Sequence, residues 1–251
     1  MSSIVEVKKL QKRYNGNRVV DDVSFSVQKG EIFGILGPNG AGKTTTLEMI
    51  EAIRPIDSGV AIVSGIDVAE HPQQVRYIIG VQPQSPAFQD KSKVKEILVL
   101  FAAAYGEKIN PDELLADVGL SEKANSYVEQ LSGGQLQRLS IAASLVHKPK
   151  VFFMDEPTTG LDPQARRNLW NLIRSIQQKG VTVILTTHYL EEAEMLCDRV
   201  AIMDNGKIIA LDTPKTLIKQ LLARGFKKKH FVEQANLEDV FIDLTGKHLR
   251  E

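Results

Sequence analysis

The chain has one cysteine, Cys197, in 251 residues, so no disulfide can close within it. That suits a reducing compartment. It has no surplus of either charge: 31 Lys and Arg stand against 31 Asp and Glu. No global field favours a polyanion, and no nucleic-acid partner is expected. No apolar run approaches the ~18 residues of a membrane-spanning helix. VTVILTT at 181–187, among the longest, reads as a buried strand. The opening MSSIVEVKKL lacks an apolar h-region, so no secretory signal is expected. Internal repeats and low-complexity stretches are also missing. If the protein works at a membrane, another chain must supply the span.

What is present is an alternation of strand and helix. IVEVKKL (4–10), VSFSV (23–27), EIFGILG (31–37) and GVAIVSG (59–65) carry the branched and aromatic residues of strands. TTTLEMIEAI (44–53) has helical spacing. Between about 91 and 150 the pattern turns helical: 93–106, 111–119 with Pro111 at its start, and 134–147. Strands at 151–156 and 181–188 then alternate with helices at 164–178 and 190–198, and a hairpin about Asn205-Gly206 spans 199–211. This order predicts an α/β fold, a parallel sheet covered by helices, with an all-helical insertion at about 85–148. The main domain is expected over 1–225 and a tail with a short amphipathic helix over 226–251. Within that tail, FKKKH (226–230) reads as a solvated loop, with contact to anionic lipid as the alternative.

GPNGAGKT (37–44) fits the phosphate-loop pattern, with a strand before it and a helix after it. Gly37, Gly40 and Gly42 let backbone N–H groups wrap a phosphate. Lys43 can reach the β- and γ-phosphates, and the Thr44 hydroxyl can ligate Mg²⁺. VFFMDEP (151–157) ends a buried strand on two carboxylates, which is costly unless something compensates their charge. Beside a phosphate loop, Asp155 can hold Mg²⁺ through water and Glu156 can polarise the attacking water. LSGGQ (131–135) opens a helix with Ser132, Gly133 and Gly134. A serine N-cap explains Ser132 but not the two glycines. Uncovered N–H groups at a helix start suit an anion, so this is a second candidate phosphate cradle.

In this order the motifs resemble the nucleotide-binding subunit of an ATP-binding-cassette (ABC) transporter, from Tyr14 to His188 and over nearly the whole chain. The resemblance implies a P-loop NTPase (RecA-like) core with an antiparallel β subdomain and an inserted helical subdomain. It implies ATP and Mg²⁺ as ligands, held at Gly37, Pro38, Asn39, Gly40, Ala41, Gly42, Lys43, Thr44 and Thr45. It implies that two cassettes stack head to tail, so that Ser132, Gly133, Gly134, Gln135 and Asp162 meet the partner's ATP. Tyr14 resembles the aromatic that stacks on adenine, with Val19 nearby. His188 resembles the histidine that positions the γ-phosphate and water. Gln84 resembles the glutamine that senses Mg²⁺ and couples to the membrane partner. Gln82 is its rival, and Gln84 is preferred because the family's glutamine falls four residues after Gly80. His71, His147, His230 and His248 show no metal spacing and are expected at the surface.

TTGLDPQARRNLW, HYLEEAEMLCDRVAIMDNGKIIALDTP and NLEDVFIDLTGKHL resemble the ABC-2-type exporters, which move drugs, lipids or polysaccharides. The resemblance implies an ATPase on the cytoplasmic face of the membrane, held there by a separate permease. An importer-type ATPase or a non-transport cassette for DNA repair or translation is the alternative. Repair members carry long coiled-coil insertions and translation members join two cassettes, and neither occurs here. A kinase or GTPase would have no use for LSGGQ, and the guanine motif N-K-x-D is missing. A catalytically dead cassette is disfavoured by Lys43, Glu156 and His188.

Overall fold

The computed structural model describes residues 3–84, 88–89 and 91–226. The chain divides into two compact units, Met1–Leu217 and Ile218–Glu251. The elements run β1 (Ser3–Tyr14), β2 (Asn17–Gln28), β3 (Ile32–Leu36), α1 (Lys43–Ile50), β4 (Ser58–Val63), β5 (Ile66–Asp67), α2 (Pro72–Ile78), β6 (Ile79–Gln82), α3 (Val94–Ala104), α4 (Pro111–Asp117), α5 (Gly133–Leu145), β7 (Val151–Asp155), α6 (Pro163–Gln178), β8 (Thr182–Thr187), α7 (Leu190–Leu196), β9 (Arg199–Asp204), β10 (Lys207–Asp212) and α8 (Pro214–Ala223).

Two sheets organise the first unit. The larger has the order β10-β9-β3-β8-β7-β6, with five parallel strands and β10 antiparallel at one edge. The smaller is antiparallel, β2-β1-β4-β5. Successive side chains of a strand point to opposite faces, and the core divides accordingly. On one face Ile32, Leu36, Phe152, Met154, Val183 and Leu185 pack with the apolar residues of α3, α4, α5, α6 and α7. On the other, Phe33, Ile35, Val151, Phe153 and Ile184 pack with β1, β2, β4 and α1. A parallel sheet buried on both faces explains why β3, β7 and β8 read as continuous apolar runs.

The helical insertion forms as expected from its spacing, as α3, α4 and α5 with two short 3₁₀ turns between the last two. Pro111 takes the first position of α4, and Asn110 caps it by accepting from Asp112 N–H at 3.1 Å. The hairpin turns at Asn205 and Gly206, both at positive φ. Three features depart from the sequence reading. β1 and β2 run well beyond the expected strands. Helices α2 and α8 had no counterpart in that reading. His147 is not a surface residue: its ring stacks on Tyr105 at 3.9 Å and its Nε2 lies 2.8 Å from the Ile79 carbonyl. His71 is exposed. The expected tail helix, His230 and His248 lie outside the described residues. Among the described residues no helix is long and apolar enough to cross a membrane.

Glu51, directly after α1, is a buried carboxyl. Burial, then the negative charge of Asp155 and of Glu48, pushes its pKa up to about 8. Its ordinary value is 4.5, so between those two pH values the folded chain holds a proton that the unfolded chain releases. Stability then falls as pH rises, by about 1.4 kcal/mol per unit. Glu51→Gln should therefore raise stability at pH 7, by at most about 3 kcal/mol, and the gain should vanish near pH 4.5. Urea unfolding of the nucleotide-free proteins at several pH values checks this. A gain that does not depend on pH would rule out the ionisation as its cause.

Candidate functional site

The carboxyl ends of β3, β8 and β7 lie side by side, because β8 pairs with both neighbours. Residues at these ends supply the first half of the site, as expected of an open α/β sheet. The loop after β3 is fixed by close backbone approach. A Cβ on Gly37 would stand 2.2 Å from the Met203 carbonyl oxygen. Gly42 has φ +97°, and a Cβ there would meet the Val19 carbonyl oxygen at 2.5 Å. Neither position accepts a side chain, and the second sets Val19 against the loop. Pro38, Asn39 and Gly40 are exposed at the loop's crest, whereas Ala41 is buried beneath it.

Lys43 begins α1 and is buried. Its Nζ donates to the Gly37 carbonyl at 2.9 Å and the Pro38 carbonyl at 3.1 Å, and lies 3.3 Å from Glu156 Oε1. Thr44 follows it, exposed, and its hydroxyl donates to Asp155 Oδ2 at 3.0 Å. Thr45 is half-buried. Thr186 of β8, a residue the sequence reading missed, ties the acidic pair down. Its hydroxyl donates to Asp155 Oδ1 and accepts from Glu156 N–H at 3.0 Å. Register alone makes this possible, since Thr186 lies opposite Asp155 in the parallel ladder.

Glu156 stands just beyond β7 with φ +46°, rare for a residue with a Cβ. Its Oε2 lies 3.1 Å from His188 Nδ1, and Thr159 donates to the same oxygen at 3.3 Å. Partial burial pushes the carboxyl up, but hydrogen bonds from His188 and Lys43 outweigh it and hold the pKa below the usual 4.5. At neutral pH Glu156 is therefore an ionised acceptor between two nitrogen donors.

The structure thus gathers Gly37, Lys43, Thr44, Asp155, Glu156 and His188 in one place. Tyr14 ends β1, with Arg54 Nη1 donating to its hydroxyl at 3.0 Å and Lys12 Nζ lying 5.7 Å from its ring centre. Gln82 is buried at the end of β6, opposite Met154, with its amide oxygen unpartnered. Gln84 lies exposed in the bend that follows.

Ser132 caps α5. Its Oγ accepts from Gln135 N–H at 3.3 Å, and the Gln135 side chain accepts from Ser132 N–H at 3.0 Å. Gly133 and Gly134 are different from the loop glycines. A Cβ on Gly133 would meet nothing within 4 Å, and one on Gly134 only ordinary contacts. This chain's own packing demands neither glycine. Beside them a cleft of about 330 Å³ is lined by Ser132, Gly134, Gln135, Arg138, Leu161 and Ala165. Asp162, in the loop that reaches this cleft, caps α6 by accepting from Ala165 N–H at 2.7 Å. A larger cavity, about 890 Å³, is lined by Lys29, Lys150 and Val181 at the opposite, amino-terminal ends of the strands, away from these residues.

Residues 20–159, more than half of the chain, match the family model described as "ABC transporter". The chain belongs to the ABC transporter family. It is 40% identical over 223 residues to the linearmycin resistance ATP-binding protein LnrL of Bacillus subtilis, covering 87% of this chain and 72% of that protein. It is 45% identical over 221 residues to the Nod factor export ATP-binding protein I of Ralstonia nicotianae, covering 86% and 68%. A solved ATP-binding subunit of an ABC transporter superposes with a TM-score of 0.79 at 31% identity, covering 97% of this chain and 100% of that one. A cassette solved in its ADP conformation superposes with a TM-score of 0.80 at 27% identity, covering 89% and 96%. As an ABC ATPase, the chain binds and hydrolyses ATP. Its P-loop NTPase core, antiparallel sheet and helical insertion are those of the family.

Proposed function

We propose that this ABC ATPase powers an exporter, and that it hydrolyses ATP in two composite sites formed by a head-to-tail pair of cassettes. The observation that carries the pairing is the contrast between its glycines. Gly37 and Gly42 are required by the chain's own backbone, whereas Gly133 and Gly134 leave a helix start uncovered for something outside the chain. Lys43, Glu156 and His188 are already assembled in one protomer. The second cradle then meets ATP held by the other protomer, with Ser132, Gly133, Gly134, Gln135 and Asp162 lining it.

Within each site the chain's groups have separate tasks. Backbone N–H groups of residues 39, 40 and 42–45 and the Lys43 ammonium bind phosphate oxygens. Glu156, ionised, accepts a proton from the attacking water. His188 holds the Glu156 carboxylate through Nδ1 and presents its other ring nitrogen toward the reacting phosphate. Tyr14 and Val19 receive the adenine. The residues present fit a magnesium ion, since the Thr44 hydroxyl and Asp155 carboxylate converge, and Gln84 follows the neighbouring strand end. No cluster of three His, Cys, Asp or Glu competes for a metal among the described residues. Bound there, Mg²⁺ supplies positive charge to the β- and γ-phosphate oxygens.

The relatives' names, linearmycin resistance and Nod factor export, support export of a drug, lipid, polysaccharide or ion through a separate permease. The chain would sit at the cytoplasmic face by docking on that permease. Helix α3 presents Val99 and Leu100 outward, 50% and 62% exposed, as a site for such contact. Gln84 stands where the strand core passes into this helical block, so one residue can report the metal site to the moving segment. Gln84→Ala is expected to blunt the stimulation of ATPase activity by transported substrate in the reconstituted complex, while ATP affinity is kept. If Gln82→Ala loses stimulation and Gln84→Ala keeps it, the coupling belongs to the buried glutamine. If both keep it, coupling does not run through this strand end.

A further inference from the structure

Beside the catalytic cluster lies a buried polar group that the hydrolytic roles above do not use. Glu192, on α7, is fully buried. Its Oε1 accepts from Trp170 Nε1 of α6 at 3.0 Å. Its Oε2 has no hydrogen-bond partner among the described residues, and neither has Thr158 Oγ1 or Arg166 Nε, both also buried. Thr158, Thr187 and Arg166 all act on this carboxyl. These groups come from the segments that carry the chemistry. Thr158 stands two residues after Glu156 and directly before TGLD (159–162). Thr187 directly precedes His188. Arg166 donates to the Leu161 carbonyl at 3.4 Å and lies over the Tyr189 ring at 4.6 Å.

We propose that Glu192 is a positioning residue for ATP hydrolysis, fixing the His188 segment against the segment that carries Glu156 and Asp162. Apolar side chains of like size would hold α6 to α7 without desolvating a carboxyl, so stability is a poor reason for this arrangement. A buried polar group with specific donors instead fixes geometry, since each partner has few permitted positions. Burial raises the Glu192 pKa, and the nearby Thr187 and Thr158 hydroxyls and the Trp170 hydrogen bond oppose that rise. The three unpartnered atoms belong to Glu192, to the segment after Glu156 and to α6, and Thr158 and Arg166 both act on the Glu192 carboxyl. The proposal rests on Glu156 and His188 acting in hydrolysis.

The test is steady-state kinetics of the purified full-length chain with Mg²⁺-ATP. Glu192→Gln keeps the acceptor for Trp170 but puts an amide N–H₂ where Thr158 and Arg166 bring donors. Its KM for ATP should stay within about twofold, because the phosphate loop is untouched. Its kcat should fall by about ten- to a hundredfold, the scale of a misplacement of about 1 Å. Trp170 is the chain's one tryptophan, so its emission reports the local packing without labels. Thr158→Val, which leaves the Trp170 bond in place, should lower kcat without moving that emission, and it stands in if Glu192→Gln does not fold. In a His188→Ala background, Glu192→Gln should cost nothing further, as expected of residues that act as a unit. Wild-type kcat in both Glu192→Gln and Thr158→Val, or a full additional loss in the His188→Ala background, overturns the proposal. Glu156→Gln run alongside separates the two levels. If it is inactive while Glu192→Gln is normal, only this inference fails. If it retains full turnover, the site assignment fails and this inference with it.

Discussion

Glu156→Gln is expected to bind ATP as tightly as the unaltered protein and to hydrolyse it ~10²–10⁴-fold more slowly, the usual cost of losing a general base. The amide oxygen can still accept from Lys43 where Oε1 lies 3.3 Å away. The amide N–H₂ takes the Oε2 position 3.1 Å from His188 Nδ1, where it can donate to a ring that carries its hydrogen on the other nitrogen, so the cluster can keep its shape. What it loses is a basic oxygen held ionised at neutral pH. Lys43→Ala should behave in the opposite way. Lys43 meets charge already present on the bound nucleotide, so its removal should weaken binding itself. It also leaves the half-buried Glu156 without the Lys43 ammonium, which raises the carboxyl's pKa. Isothermal calorimetry with ATP and a phosphate-release assay on both variants separate the roles. Unchanged hydrolysis by Glu156→Gln would remove it as the base, and unchanged affinity in Lys43→Ala would remove the lysine from phosphate binding.

Much of this site is legible in the sequence because its chemistry is local. The phosphate loop is eight consecutive residues between a strand and a helix, and the glycines that shape it need no distant partner to be recognised. The acidic pair and His188 are equally visible, each at the end of an apolar run. What could not be read depends on register and packing. Thr186 looks like any strand threonine until pairing sets it opposite Asp155. Glu192 looks like one more acid in LEEAE until α7 folds it onto Trp170. Lys12 reads as a surface charge, yet it is buried, donating to Asp57 at 2.6 Å and to the Pro55 carbonyl at 2.8 Å. β1 extends through the basic stretch KKLQKR because β2 pairs with it as far as Tyr14 opposite Asn17, a pairing that local pattern alone does not show. Helix α8 is legible but was missed: Leu217, Ile218, Leu221 and Leu222 fall at helical spacing behind Pro214, although none of its side chains is fully buried.

The proposed pairing of cassettes requires the second cradle, at Ser132, Gly133 and Gly134, to receive a phosphate held by another copy of the chain. Gly133→Val tests the idea at a position where an added Cβ meets nothing within 4 Å in its own protomer. The variant should match the unaltered protein in thermal stability and ATP binding, yet fail to associate. The central measurement is light scattering of the Glu156→Gln protein with Mg²⁺-ATP, in which hydrolysis cannot reset the assembly. The account predicts a particle of twice the 27.8 kDa chain mass when ATP is present, and a single chain when ATP is absent or Gly133→Val is added. A particle of one chain's mass at every concentration, with ATP bound, would contradict it.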